Sequence, residues 1–296
     1  MTASPTQDQD SATAGILKAA TALGVLGGGA QGAPRILALL CNPAVNAAEV
    51  ATVMSREPGL SLRVLRVANS AYYGLTRSIS TIDRALVLLG LDAVRGIAAA
   101  ACLDRTVKRA SENAPLDMDA LVRHSLATAV AAEALASIRH RPLAPEAFIA
   151  GLLHNLGVTV QLRLDPGGVR AMVDALRARP EQDIPALEAQ RVGVGHEQCV
   201  AVLFEAWQLP AMLVEAARHH HDPMAAPEQH RELAALVNLG IHLSLACGNT
   251  YALEPAAPPR NHAAVTLLGL TDEDLDRVAA DLPERLTKLQ EAFAAA

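Results

Sequence analysis

The sequence predicts an all-α fold, a two-lobed helical bundle, on three observations. Apolar residues fill 51% of the 296 positions and aromatic ones only 2%, so the core must be assembled mainly from Ala, Leu and Val, which suit closely packed helices better than strands. Apolar residues recur at three- and four-residue spacing along almost the whole chain, punctuated by helix start and stop residues. No apolar–polar alternation of period two persists long enough to make a strand.

Taken in order, the first helix is expected over Ala12–Leu26, after a disordered segment 1–11 and before the stop Gly27-Gly28-Gly29. Pro34 suits the first turn of a helix that continues through Arg35 to Leu40. Asn46 caps a helix to Ser55, and Pro58 opens another to Val67. Ser80 or Thr81 caps the stretch to Leu89, Gly90 ends it, and Asp92 starts an Ala-rich helix to about Arg109. The polar break Ser111–Pro115 separates this N-terminal lobe, 12–112, from a second lobe, 113–248. There the expected helices are Asp117–Ile138, Pro145–Leu162, Val169–Arg179, Pro185–Arg191, His196–Trp207, Pro210–His220 and Glu228–Ala246. Residues 249–296 are read as a Pro- and Ala-rich loop, Asn249–Asn261, followed by an amphipathic tail from Thr271 to Phe293, interrupted near Pro283. The tail stripe of Leu275, Val278, Ala279, Leu282 and Leu286 is expected to fold back on the bundle.

The net charge of −6, from 25 basic and 31 acidic residues, argues against a nucleic-acid binder, so no nucleic-acid partner is expected. Basic residues concentrate between Arg63 and Arg109, and acidic ones in the tail. Cys41, Cys102, Cys199 and Cys247 form no C-x-x-C pair and read as buried apolar residues of a reducing compartment. The polar stretch Met1–Ser11 is no signal peptide, and no window holds the ~18 uninterrupted apolar residues a bilayer span needs. A cytoplasmic protein with no membrane association is the expectation. The glycines at Gly27, Gly29 and Gly32 match G-x-G-x-x-G, but that fingerprint has meaning only between a strand and a helix, and here a helix precedes it.

Ten histidines are present, and several fall on successive predicted helices: His124, His154, His196, the run His219-His220-His221, and His242. Helical phosphohydrolases bring imidazoles and carboxylates together in one cavity, where the carboxylate offsets the charge of divalent ions and bridges paired metals. His154 follows the apolar run Phe148–Leu153 and should be buried; the stretch Gly151–Val158 resembles that of HD-type phosphohydrolases, but with the neutral Asn155 where they carry the aspartate and Val158 where they carry a phosphate-holding lysine. Neither Asn238 nor His242 supplies an acid. The bland alternative is a set of hydrogen-bonded core histidines, with His219–His221 stabilised at the negative end of a helix dipole.

The run Glu57-Pro58-Gly59-Leu60-Ser61-Leu62-Arg63-Val64-Leu65-Arg66-Val67-Ala68-Asn69-Ser70-Ala71-Tyr72-Tyr73-Gly74 carries the strongest resemblance to a known family. With Ile79–Gly90, Ala147–Gly157 and Trp207–Pro210 leading to His219-His220, it resembles the HDOD family of bacterial signalling proteins, which is itself similar to HD-type phosphohydrolases. The likeness runs from about Ala14 to Leu245, departing at Glu57, where the family has aspartate, and at the glycine-rich loop Gly27–Pro34. It implies an all-helical module with an HD-like second lobe that acts in signal transduction by binding other signalling proteins. No receiver, GGDEF or EAL-like segment is visible, so a stand-alone module is expected.

On this reading His124, His154, Asn155, His196, His220 and His242 line a vestigial pocket with no catalytic residue, no metal and no cofactor. Arg63, Arg66, Asn69, Ser70 and Tyr73 belong to the family motif and form either a partner surface or a structural corner. The favoured function is non-catalytic, through protein–protein interaction. A residual metal-dependent phosphohydrolase using His124, His154, His196 and His220, or a nucleotide sensor without turnover, are the alternatives.

Overall fold

A computed structural model describes residues 5–22, 33–110 and 114–294. Among these the chain is helical throughout, and the only β pairing is an isolated antiparallel bridge between Tyr251 and Glu254. The N-terminal lobe comprises α2 (Ala33–Leu40), α3 (Ala47–Ser55), α4 (Pro58–Ala68), α5 (Ile82–Leu89) and α6 (Leu91–Ala110). The second lobe comprises α7 (Met118–Arg139), α8 (Ala144–Leu153), α9 (Leu156–Leu164), α10 (Pro166–Ala178), α11 (Ile184–Arg191), α12 (His196–Ala206), α13 (Ala211–Arg218) and α14 (Arg231–Ala246). Before and after them run α1 (Pro5–Ala22), α15 (His262–Leu267) and α16 (Asp272–Ala294).

Capping matches the sequence reading in detail. Asn46 and Glu49 form a reciprocal capping box at α3, Thr81 caps α5, and Asp117 accepts two backbone N–H groups at α7. Helix α7 is the axis of the molecule. It is Ala-rich and, from His124 to Ala132, buried between α6, α8, α14 and α16, as a helical stretch without a polar face must be. α7 and the run Arg141–Leu164 have the length and hydropathy of membrane spans, yet 67% and 78% of those windows lie buried within the fold.

Glycine permits the closest helix contacts. A Cβ at Gly157 of α9 would stand 1.9 Å from the His196 carbonyl oxygen at the start of α12, and one at Gly240 of α14 would meet the Thr128 carbonyl of α7 at 2.9 Å. Between the lobes, the buried Arg95 of α6 donates from Nε to the Leu40 carbonyl at the end of α2, and its guanidinium lies 3.6 Å from Glu146 of α8.

Five expectations need correction. Helix α1 begins at Pro5, so the described part of segment 1–11 is helical rather than disordered; its residues are polar, which hides a helix from apolar periodicity without opposing one. α1 packs on α9 and α12 and so joins the second lobe, not the first. The expected helix Pro145–Leu162 breaks in two at His154-Asn155, because the His154 ring takes the Gly151 carbonyl and a new helix starts beyond Asn155. The tail does not break at Pro283: α16 is continuous. The Ala279 carbonyl, which a residue other than proline at 283 would bond, accepts from the Cys247 thiol instead. The predicted loop before the tail is followed by the short helix α15, capped by Asn261. The glycine stop at Gly27–Gly29, the G-x-G-x-x-G run and the lobe boundary at 111–113 lie outside the described residues.

The contact at Gly157 yields a prediction. Gly157→Ala should destabilise the protein by about 3 kcal/mol, the upper end of overpacking costs, because the obstruction is backbone rather than a movable side chain. Urea unfolding measures it; a loss below about 1 kcal/mol would show that α9 and α12 separate freely.

Candidate functional site

The break between α8 and α9 turns His154 inward to a chamber that also receives His124 from α7, His196 from the first turn of α12, and His220 and His221 from the residues after α13. Neighbouring rings stand 5.4 Å (His124–His154), 5.0 Å (His154–His220), 5.1 Å (His196–His220) and 5.2 Å (His196–His221) apart, centroid to centroid. His124, His154 and His220 have no solvent exposure; His221 is half-buried and lies at the chamber's edge.

The rings are held by their Nδ1 atoms. His124 donates to the Asn249 carbonyl at 3.0 Å, His154 to Gly151 at 2.7 Å and His220 to Ala217 at 2.7 Å. A carbonyl can only accept, so each of these rings carries its proton on Nδ1 and turns a bare Nε2 into the chamber. His196 Nδ1 instead meets Glu188 of α11 at 2.7 Å, and Glu188 is itself held by Gln161 at 2.9 Å. The Nε2 of His196 lies 3.1 Å from that of His220 and 3.2 Å from that of His221. Asn238 of α14 steadies this corner by donating to the carbonyls of His220 and His221.

Sequence reasoning expected no acid here, and that is corrected: Glu254 supplies one. The bridge with Tyr251 folds residues 251–254 into a tight turn. Glu254 is 3% exposed, and neither of its carboxylate oxygens has a hydrogen-bond donor. One oxygen is 3.2 Å from His124 Nε2 and the other 3.5 Å from His221 Nε2. Position in a Pro-rich stretch gave no sign of this, since a loop acid is ordinarily solvated. His242 is corrected in the other direction: it lies outside the cluster and bonds the Pro258 carbonyl. His221, read as a helix-end residue, belongs to the chamber.

Electrostatics divides the cluster. Burial works against a charge on His196, but the Glu188 carboxylate outweighs it and lifts the pKa to about 9. Glu188 is correspondingly lowered, its partner overcoming burial. Burial pushes His124 down to about 4, and burial reinforced by neighbouring imidazoles holds His154, His220 and His221 well below the ordinary range. Burial lifts Glu254 to about 7 against the pull of His196. Burial and then Glu254 raise the Tyr251 phenol. The Asn155 amide opposes that rise, but its polar atoms make no hydrogen bond of good geometry. Asn155 and Val158 are both buried.

The family motif of the N-terminal lobe makes a structural corner. The Asn69 carboxamide donates to Leu65 and Ile79 carbonyls and accepts from the Ile79 N–H, tying the end of α4 to the segment before α5. Ser70 donates to Val67, Arg63 pairs with Asp104 at 2.7 Å, and Tyr73 packs edge-on against Tyr72. Arg66 is exposed on the same helix.

The family model described as the HDOD domain matches residues 30–223. The chain belongs to the HDOD family. A provisionally assigned signal transduction protein of Marinobacter aquaeolei is 27% identical, with a TM-score of 0.74 over 89% of this chain and 58% of its own. An HDOD domain protein of unknown function from Geobacter sulfurreducens shares the fold, at 24% identity and a TM-score of 0.72 over 88% of this chain and 90% of its own. An uncharacterised protein of Treponema pallidum is 26% identical over 199 residues, 66% of this chain and 37% of its own length. The chain thus spans little more than a third of that relative.

A two-metal centre of the HD type does not fit these residues. Asn155 cannot bridge two cations, and the buried Val158 side chain cannot hold a phosphate oxygen. A single cation among imidazoles is compatible with the bare Nε2 atoms.

The His196–Glu188 pair should leave a signature in pH. The raised His196 pKa contributes stability that is complete below about 6.5 and lost as pH climbs through about 9. The lowered Glu188 pKa contributes stability present above about 4.5 and lost as pH falls below it. In chelator-containing buffer, the stability difference between wild type and Glu188→Gln should therefore be largest near pH 5.5 and narrow towards pH 9. Urea titrations across that range check it, and a difference that widens above pH 7 would refute the assignment.

Proposed function

We propose that this HDOD protein is a non-catalytic regulatory module that works by binding another signalling protein through its N-terminal lobe. The observation that carries this reading is the state of the HD-like pocket: an amide and a buried valine occupy the chemical positions, and His124, His154 and His220 behind them have no solvent exposure. A substrate phosphate would have no paired-metal anchor, and only the half-buried edge of His221 to approach.

The surface of the N-terminal lobe supports the rest. Of the four large apolar side chains left exposed among the described residues, Leu62, Val87 and Leu88 belong to α4 and α5, and Val87 is 74% exposed. Single exposed leucines are ordinary, but three on two neighbouring helices of one lobe are a reasonable contact area for an apolar-faced partner. The groove between the lobes is less available. Leu289 and Phe293 of α16 line it beside Tyr72, Tyr73 and Phe148, and Arg285 of α16 pairs with Glu133 across it at 3.1 Å. A cytoplasmic setting is part of the same proposal.

Two measurements test it. Purified chain supplied with Mg²⁺, Mn²⁺ or Zn²⁺ should leave cyclic dinucleotides and phosphomonoesters intact at rates indistinguishable from buffer. The double variant Val87→Glu, Leu88→Glu should retain the wild-type melting temperature within about 2 °C, the effect expected of surface changes, while losing co-purification of the partner that wild type retains from its own cells. Enzymatic turnover, or undiminished partner recovery by the double variant, would sink the reading.

A further inference from the structure

The chain carries three tyrosines, three phenylalanines and one tryptophan, and most of that small set, Tyr72, Tyr73, Phe148 and Phe293, lines one groove of about 290 Å³ between the lobes. The Tyr72 and Tyr73 rings, in the segment between α4 and α5, meet edge to face at 77° with centroids 4.9 Å apart, which makes a right-angled corner. Gly96 of α6 seats the third ring, since a Cβ there would stand 3.1 Å from Phe148. Phe293 adds the last ring from the final turns of α16. All four keep partial exposure.

The polar lining is acidic on balance. Asp92 of α6 and Glu133 of α7 lie in the groove with one base, Arg285 of α16. Glu133 pairs with Arg285 at 3.1 Å, yet burial still lifts its pKa against that pull, so the carboxylate is short of positive charge. Asp92 meets the buried Arg95 at 3.1 Å, but Arg95 is shared with Glu146.

We propose that this groove binds a small organic cation, a quaternary or methylated ammonium, boxed by the four rings, with Glu133 and Asp92 supplying the counter-charge. Aromatic faces are negative and attract such an ion even when it has no N–H to donate. A flat neutral ring would want parallel walls to stack between, whereas Tyr72 and Tyr73 stand nearly perpendicular. A phosphate-bearing ligand would face two carboxylates. The volume is at the small end of the ~300–1,000 Å³ of ligand pockets, which suits a free small molecule. Both lobes and α16 contribute to the lining, so an occupant would tie the tail to the lobes. The wall formed by Arg285 and Phe293 lies after the matched family region, which ends at residue 223, so this site depends on the chain's own C-terminal helix rather than on the shared domain alone.

Calorimetry on the full chain tests this, with choline chloride as the probe and dimethylbutanol as its uncharged carbon isostere. Choline should bind saturably, one per chain, and the isostere at least about tenfold more weakly. Hydrogen exchange in residues 285–294 should slow when choline is added. Phe293→Ala, a change in the final turns of α16, should keep the melting temperature within about 2 °C and weaken choline about tenfold. Glu133→Gln, which keeps the shape and removes the charge, should weaken it similarly. The double variant Val87→Glu, Leu88→Glu should bind choline as wild type does. Phosphatidylcholine vesicles, which carry the same cation on a lipid, should not sediment the chain. No saturable choline binding, equal binding of the isostere, or undiminished binding by Phe293→Ala and Glu133→Gln overturns the proposal, and co-sedimentation with vesicles overturns its assignment to a free molecule. The α4–α5 partner surface does not depend on this groove, so each outcome leaves the proposed function to its own test.

Discussion

Three main-chain carbonyls, of Gly151, Ala217 and Asn249, decide how this molecule's interior behaves. Each takes the Nδ1 proton of one buried histidine and so fixes both the tautomer and the direction of the ring. A core of alanine, leucine and valine offers imidazole nothing to bond, and an unsatisfied polar group there costs about 1–3 kcal/mol. These bonds offset part of that cost: Gly151 and Ala217 lie in the last turns of α8 and α13, where helix carbonyls lack partners of their own, and Asn249 lies in the turn after α14. The break between α8 and α9 is part of the same arrangement, since it frees the Gly151 carbonyl that His154 uses.

Much of this was legible in the chain. Proline, asparagine, aspartate and threonine at helix starts located most elements to within a few residues, because capping is local chemistry. The convergence of His124, His154, His196 and His220 was also readable, from one histidine on each of several successive helices in a recognisable motif. Glu254 was not readable, because its burial follows from a turn closed by two backbone bonds to Tyr251 and from the packing of distant helices, neither of which leaves a periodic trace. His242 failed for the complementary reason: its spacing suited the cluster, but the face of α14 it occupies meets the Pro258 carbonyl instead. Pro283 misled because its lost hydrogen bond was replaced from another helix, by Cys247.

The alanine-rich composition and the site are connected. Small side chains and glycines let α7, α8 and α14 approach closely, with Gly240 almost touching the Thr128 carbonyl, and that closeness brings imidazoles from separate helices within 5–6 Å of one another. Larger residues at those contacts would push the rings apart and admit water between them. The interior is tight because its side chains are short, and the polar cluster exists because the interior is tight.

Helix α14 lies wholly after residue 223, where the recognised family region stops, yet it packs along the length of α7 and is buried over most of its own surface. A fragment excised at that limit would bare the hydrophobic flank of its central helix and lose the asparagine that steadies the paired histidines. The unit that folds is therefore larger than the unit that is recognised. Any fusion or truncation of this chain has to respect the former, with its cut placed beyond the closing helix.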